Sequence, residues 1–326
     1  MRAILICAAV AVSVSAQNNF QSQQVTELDD LINRGEYEHG TKLAQLLLQQ
    51  QQAWGPNKES IFVLTHIGSA QVELGRISDA VKVISQADTL APTIPNNLYE
   101  IGLLRATAVL QLEVGQYQAA ASLAAKAVKL ALDRNLESLR VGYYRSIQAM
   151  ALLRLGNPSD AELIVLKAVK DCPKKPGKYF VFAPRILYTA CLVESYQQNF
   201  ALAEEYCRRG LEIAQAWKKE TRDLSLGYLA QAEASLEAGD LARSREAAAK
   251  TVEITTRLFG DQHQDIVQAL GLLARINAKQ GNMPDACAQA NRAVKIAISL
   301  FGPVSSGAGI PTRALQRMSG CLAAPK

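Results

Sequence analysis

Small side chains recur along this chain with a period of 40 to 42 residues. Seven positions mark the period, and six of them are glycine: Gly35, Gly75, Gly115, Gly156, Gln198, Gly239 and Gly281. Five residues after each mark stands another small side chain: Gly40, Ala80, Ala120, Ala161, Ala203, Ser244 and Ala286. Because small residues at a fixed phase let helix backbones approach closely, the pattern predicts packed helices.

The glycine at each mark predicts a turn between two helices. Glycine adopts positive φ at little cost and is common just past the end of a helix. In the unit around Gly115, apolar residues such as Leu104, Leu123 and Leu130 supply the contact between the two helices. A single helical hairpin cannot bury both of its faces, so the hairpins must stack. The sequence therefore predicts an all-α chain of about seven stacked helix-turn-helix units.

The unit around Gly75 carries small and apolar residues in a recognisable order: Leu64, Ile67, Gly68, Gly75, Ala80, Ile84, Ala87 and Pro92. This order resembles the tetratricopeptide repeat family. The resemblance spans roughly residues 21–303, with a period longer than the roughly 34 residues of the family. It implies a right-handed alpha-solenoid of about seven repeats. The stretch 257–263 is also similar to the linkers of the long repeats in kinesin light chains.

The N-terminal segment is predicted to direct export. A short basic start precedes a run of small and apolar residues from Ala3 to Val14, and the chain then reaches Ala16, which suits a signal peptidase. This pattern is typical of a cleavable signal peptide over residues 1–16. An uncleaved anchor is the alternative, although the run is short for a membrane span. We expect an exported protein, periplasmic or extracellular, with no stable membrane insertion after cleavage.

The remainder of the chain is predicted to have two parts. The helical repeat array covers residues 17–303, and residues 304–326 form a flexible link, a capping helix and a tail. The link begins with Gly and Ser residues, and the capping helix would run from about Pro311 to Met318. That helix would cover the open end of the stack, because end caps keep a solenoid soluble.

Composition and motifs argue against several function classes. Thirty-five Lys and Arg face thirty Asp and Glu, and aromatic residues make up only 6% of the chain, so nucleic acid is not an expected partner. The three histidines, His39, His66 and His263, stand far apart in the sequence, which suggests no metal site. Catalytic Ser, phosphate-loop and His-Glu-x-x-His motifs are missing from the sequence. We therefore expect a protein that is not an enzyme and needs no cofactor.

The mature chain would keep five cysteines, and one pair of them suggests a disulfide. Cys191 and Cys207 lie seven residues before and nine residues after Gln198, which are facing positions of one hairpin, so a bridge is geometrically feasible. The alternative is that both cysteines simply replace alanine at tight contacts. A second candidate bridge joins Cys287 to Cys321. Because five is odd, at least one thiol would stay free or pair between chains.

The resemblance places a binding surface on the concave face, which the first helix of each unit lines. Positions that the family directs inward carry arginine and tyrosine in this chain: Arg105, Tyr143, Arg185, Tyr188 and Arg275. Such a surface would suit an extended peptide with acidic side chains or a free carboxylate, which arginine binds through paired hydrogen bonds. The alternative is that these residues are ordinary solvated or packing positions.

These observations favour an exported, noncatalytic protein-protein interaction scaffold that holds a peptide or partner protein in its groove. Two alternatives stay open. One is a structural assembly unit of the cell envelope that stacks end to end. The other is an accessory subunit of an enzyme complex.

Overall fold

The computed structural model describes residues 23–32, 34–52, 58–93, 99–173, 182–217 and 220–302. The predicted signal peptide and the predicted C-terminal capping helix lie outside these residues, so both stay predictions. Within the described residues, the regular structure is helical, with a short 3₁₀ turn at Ala91–Thr93. No helix in this part of the chain is both long and apolar enough to cross a bilayer.

Fourteen helices follow one another in the described ranges. They are α1 (23–32), α2 (Tyr37–Gln52), α3 (Lys58–Glu73), α4 (Ile77–Leu90), α5 (Glu100–Glu113), α6 (Tyr117–Asp133), α7 (Ser138–Arg154), α8 (Pro158–Val169), α9 (Ala183–Tyr196), α10 (Phe200–Gln215), α11 (Arg222–Glu237), α12 (Leu241–Phe259), α13 (Gln264–Lys279) and α14 (Met283–Phe301). Odd-numbered and even-numbered helices pair as hairpins, which gives the seven predicted units.

Every predicted mark lies in the turn between the two helices of a unit. All seven have positive φ, from 64° at Gln198 to 86° at Gly156. Gln198 shows that a non-glycine residue tolerates this turn, although the left-handed region is costly for a residue with a Cβ atom. The predicted all-α solenoid of seven helix-turn-helix repeats is confirmed.

The small residues at fixed phase lie in the helix contacts, as the pattern predicts. Ala80, Ala120 and Ala161 are completely buried, and Ala203 is almost so. In the first unit, Leu28 and Leu47 stand seven residues before and twelve residues after Gly35, where other units carry smaller residues, and both are buried in a local apolar cluster. Alanine in the helix contacts therefore sets a close separation between helices over most of the array.

The array also closes on itself, which the repeat pattern did not predict. The turn between α3 and α4 lies against the start of α13, five units further along the chain: the Cβ position of Gly75 is 2.8 Å from His263 Cδ2. Phe301, at the end of α14, packs against the apolar cluster that α3, α4 and α5 share. A simple solenoid has contacts between neighbouring repeats only. In this chain the second unit also packs against the last units.

Candidate functional site

The inner helices of the last five units enclose a groove with a cavity of about 340 Å³. Side chains of α5, α7, α9, α11 and α13 line it. Its apolar lining includes Val109, Leu112, Met150, Leu192, Leu226 and Leu229. These side chains come from successive turns of the inner helices, because residues three or four apart share one face of a helix. An apolar concave surface of this size with a few charged groups is typical of a binding site.

Four of the five predicted binding residues line this groove. They are Tyr143 on α7, Arg185 and Tyr188 on α9, and Arg275 on α13. Arg105 lies on α5 outside the groove lining, and its Nη2 donates a hydrogen bond to Ser69 Oγ at 3.0 Å. Four of the five side chains therefore line the groove, and their role in binding a partner stays a prediction.

Arg185 does not present its guanidinium to a ligand, because carboxylates of this chain occupy it. Its Nη1 and Nη2 donate to the two carboxylate oxygens of Glu73 at 2.7 and 2.9 Å. Its Nε donates to Asp223 Oδ1. Glu73 is the last residue of α3, so this paired contact joins the second unit to the fifth.

Arg222, the first residue of α11, is even more enclosed and was not among the predicted residues. Its Nε and Nη2 donate to the two oxygens of Asp265 at 2.9 and 2.7 Å. Its Nη1 donates to Glu73 Oε2 at 3.1 Å, and its Nη2 also donates to Glu113 Oε1 at 2.9 Å. We call the set formed by Glu73, Glu113, Arg185, Arg222, Asp223 and Asp265 the arginine-carboxylate network.

The charges of the network shift the pKa values of its members in opposite directions. Burial alone would raise the pKa of Glu73, but Arg185 and Arg222 outweigh it and hold the pKa far below its usual range. In Glu113, burial dominates over Arg222 and raises the pKa of the carboxyl. Burial likewise raises the pKa of Asp223, despite the attraction of Arg185. Two guanidinium groups therefore do not fully compensate the four carboxylates.

Two side chains at the start of α13 complete the closure of the array. His263 Nδ1 accepts a hydrogen bond from the backbone N-H of Asp265 at 3.2 Å, so the ring proton is on Nε2, which donates to the carbonyl oxygen of Glu73 at 3.1 Å. Gln264 Nε2 donates to the carbonyl oxygen of Val72 at 2.8 Å. These side chains thus donate to carbonyls at the end of α3, where helical partners are scarce, and Val72 also accepts from the backbone N-H of Gly75 at 3.1 Å. Burial lowers the pKa of His263, which favours this neutral form.

The other end of the groove carries a balanced set of charges. Arg154 Nη2 donates to Glu233 Oε2 at 2.8 Å, and the hydroxyl of Tyr196 donates to Glu233 Oε1 at 2.9 Å. Burial would raise the pKa of Glu233, but Arg154 outweighs it and the pKa is lowered. Arg275 donates to Glu237 Oε1 at 2.8 Å and is the most exposed arginine of the groove lining, with 38% of its side chain accessible.

The two predicted tyrosines help to build the wall of the groove. Tyr143 stacks on Phe182 with ring centroids 4.8 Å apart. Tyr188 is 4% exposed and packs against two glycines, Gly210 and Gly227, where a Cβ atom would come within 2.6 Å of its ring or hydroxyl. The small residues at those positions are therefore required by the ring of Tyr188.

We expected arginines that are free to bind carboxylates of a peptide ligand, and the structure does not present such a surface. Arginine appears at the predicted inner positions, but each of the four that line the groove donates to a carboxylate of this chain. Their partners include residues two positions before a mark, and this position is polar in every unit: Asn33, Glu73, Glu113, Arg154, Tyr196, Glu237 and Lys279. That recurring polar position is a signal in the sequence for polar side chains on the inner face, and it does not identify their partners.

The structure joins Cys191 and Cys207 in a disulfide between α9 and α10, with the Cα atoms 5.3 Å apart. Cys172 is a free, buried thiol, and burial raises its pKa to about 12. The second predicted bridge involves Cys321, which lies outside the described residues, so that bridge stays a prediction. Among the described residues, no three His, Cys, Asp or Glu side chains are arranged to hold a metal ion.

Comparison with known proteins agrees with this architecture. Residues 223–299, which cover most of the last two units, match the tetratricopeptide repeat family model. This segment carries tetratricopeptide repeats. The finer similarity to the repeats of kinesin light chains stays a prediction, and no curated protein matches the sequence significantly.

Several solved structures share the fold of this helical repeat array at low sequence identity. A Rap protein complexed with competence and sporulation factor has 12% identity and a TM-score of 0.67, over 93% of this chain and 88% of that chain. The Rap conjugation gene regulator of plasmid pLS20, in complex with the Phr* peptide, has 13% identity and a TM-score of 0.61, over 93% and 76%. NprR in complex with its cognate peptide NprX has 8% identity and a TM-score of 0.59, over 91% and 82%. At these identities the likeness establishes the fold alone.

Proposed function

We propose that this protein is an exported, noncatalytic scaffold that binds an extended segment of another polypeptide in its inner groove. The observation that carries the proposal is the apolar groove itself, which five successive inner helices build and which has charged side chains at both ends. An extended chain would follow the row of inner helices and place its side chains between them. The charged groups at the ends of the groove would fix its position.

The solved structures that share this fold support the proposal. Three of them were determined with a named peptide or signalling factor: competence and sporulation factor, the Phr* peptide and NprX. Those ligands belong to those proteins. They support a short peptide as the ligand proposed for this chain.

The disulfide between α9 and α10 supports the proposal of export. Disulfides persist in oxidising compartments and are rare in the cytosol. The predicted signal peptide over residues 1–16 is independent support. Sequencing the N-terminus of the protein recovered from outside the cytoplasm tests this part: we expect it to begin at Gln17, and a protein that stays in the cytoplasm with its first residues intact would contradict export.

Gly271 offers a direct test of the groove. It lies on α13 in the groove lining, and a Cβ atom added there would meet nothing within 4 Å. Gly271→Trp therefore fills the groove without straining the backbone, whereas Gly271→Ala adds one methyl group and slightly favours the helix. We expect affinity selection from a randomised heptapeptide pool to enrich peptides on the unaltered chain and on Gly271→Ala, and to fail on Gly271→Trp.

Thermal unfolding monitored by circular dichroism controls for folding of both variants. Equal enrichment by a folded Gly271→Trp variant would show that peptides bind outside the groove. No enrichment by any of the three proteins would reject peptide binding as the function.

A further inference from the structure

The arginines of the groove suggest a positive net charge, but the charged side chains around the groove have a negative net charge. Four arginines line the groove, and each donates to a carboxylate of this chain. Six carboxylates accept these hydrogen bonds: Glu73, Glu113, Asp223, Glu233, Glu237 and Asp265. Six carboxylates against four guanidinium groups leave an excess of two negative charges.

This excess is confined to one end of the groove. Arg154 pairs with Glu233, and Arg275 pairs with Glu237, so that end is balanced. The arginine-carboxylate network at the other end has four carboxylates and two arginines. The groove is therefore neutral at one end and negative at the other.

Glu113 is the member of the network that brings this negative charge to the groove. Glu73 shares both of its oxygens with arginines, and Asp265 does the same with Arg222. Glu113 uses only Oε1, which accepts from Arg222; among the described residues its Oε2 accepts no hydrogen bond. Glu113 lines the groove and keeps 14% of its side chain accessible, whereas Asp223 is absent from the lining.

Aliphatic side chains flank Glu113 on α5. Val109, one helical turn earlier on α5, and Leu112 also line the groove. A carboxylate among apolar side chains attracts a cation more strongly than one in water, because the local dielectric constant is low. Burial raises the pKa of Glu113, and the attraction of Arg222 offsets only part of this effect.

We infer that the ligand of this groove is an apolar peptide with one cationic group, an amine or a guanidinium, that binds beside Glu113. The inference rests on the proposed peptide-binding function and assigns the chemical class of the ligand. It replaces the acidic ligand that the arginines predict, since an acidic side chain would meet an excess of like charge. The cation would come either from a Lys or Arg side chain or from a free amino terminus.

Four pools of synthetic heptapeptides test this inference on the purified mature chain. Three pools are acetylated and amidated, with a central Lys, Gln or Glu, and the other positions are randomised among Ala, Val, Leu, Ile and Met. The fourth pool has a central Gln and a free amino terminus. We expect retention of the Lys pool to exceed that of the Gln pool by about tenfold, with the Glu pool lowest, because a desolvated charge pair contributes on this scale. Retention of the fourth pool relative to the acetylated Gln pool tells whether a terminal amine can replace the side chain.

Glu113→Gln should remove the preference for Lys over Gln, so that the Lys and Gln pools are retained equally. Glu137→Gln is the matched control, since Glu137 is an exposed carboxylate between α6 and α7. If Gly271→Trp abolishes retention, a preference for Glu or Gln on the unaltered chain would overturn the inference. An unchanged preference for Lys in Glu113→Gln would also overturn it. If no pool is retained, the proposed function fails, and the inference fails with it.

Discussion

At the scale of single residues, position 75 requires glycine for two separate reasons. Its φ of 75° lies in the left-handed region, as at the other marks, and its Cα faces the start of α13. Gly239 has a similar φ of 82°, but a Cβ atom added there would meet nothing within 4 Å. The sequence pattern assigns both glycines the same role, because the repeat period depends on local backbone geometry. It contains no information about a contact with a residue five units away.

Alanine at these two glycines should therefore destabilise the protein to different degrees. Gly239→Ala should lower the free energy of unfolding by about 1–2 kcal/mol, the cost of the left-handed conformation for a residue with a Cβ atom. Gly75→Ala should cost that and about 1–3 kcal/mol more, because His263 must move. Urea unfolding followed by circular dichroism measures both values. Equal losses would mean that the contact between α3–α4 and α13 contributes nothing to stability.

At the scale of elements, the hairpin of α9 and α10 shows how the repeat accommodates a covalent link. The two facing positions of that hairpin carry small residues in other units, such as Ala108 with Ala124 and Ala232 with Ala248. All four alanines are buried. Close approach of the helices at this point brings Cys191 and Cys207 within bonding distance. The register of the repeat was enough to make this pair a candidate for a disulfide.

Replacing both cysteines by alanine measures what the bond contributes. The double variant Cys191→Ala, Cys207→Ala restores the residues of the equivalent positions in other units, so it should leave no large cavity. We expect it to fold and to lose about 3 kcal/mol of unfolding free energy, because the disulfide closes a loop across a separation of 16 residues. Chemical denaturation of both proteins without reductant measures the difference. Equal midpoints and slopes would show that the helix contact alone holds the hairpin.

At the scale of the whole molecule, hydrogen bonds and ion pairs between distant repeats close the array. Gln264 reaches the carbonyl oxygen of Val72, 192 residues earlier, and Arg222 reaches Glu73 across 149 residues. In an open solenoid each repeat depends on its neighbours only. Here the end of α3 also depends on α11 and α13, so we expect these elements to open together.

Hydrogen exchange measured by mass spectrometry tests this coupling. Gln264→Ala removes the hydrogen bond to Val72, whereas Gln268→Ala changes an exposed side chain on the same helix and serves as the control. We expect Gln264→Ala to increase exchange by about tenfold at the end of α3 and the start of α11 as well as in α13, the equivalent of about 1.4 kcal/mol in local opening. Faster exchange in α13 alone would contradict the proposed coupling.

The candidate site was partly predictable from the sequence. Tyr143, Arg185, Tyr188 and Arg275 line the groove because helical spacing decides which side chains share a face. The partners of Arg185 were not predictable, because Glu73 lies 112 residues away and the repeat pattern contains no information about long-range closure. The sign of the net charge in the groove depends on those partners, so it could not be predicted from the sequence either.

The sequence by itself determined the helices, the seven turns and the pairing of helices within each unit. These features depend on interactions among residues that are close along the chain, where glycine conformations and small side chains leave a periodic pattern. The tertiary structure alone decided that the array closes, that Arg185 and Arg222 are neutralised by carboxylates of other repeats, and that Glu113 brings an excess of negative charge to the groove. Such charges interact through space after the superhelix has formed, and their balance depends on distances that no local pattern contains.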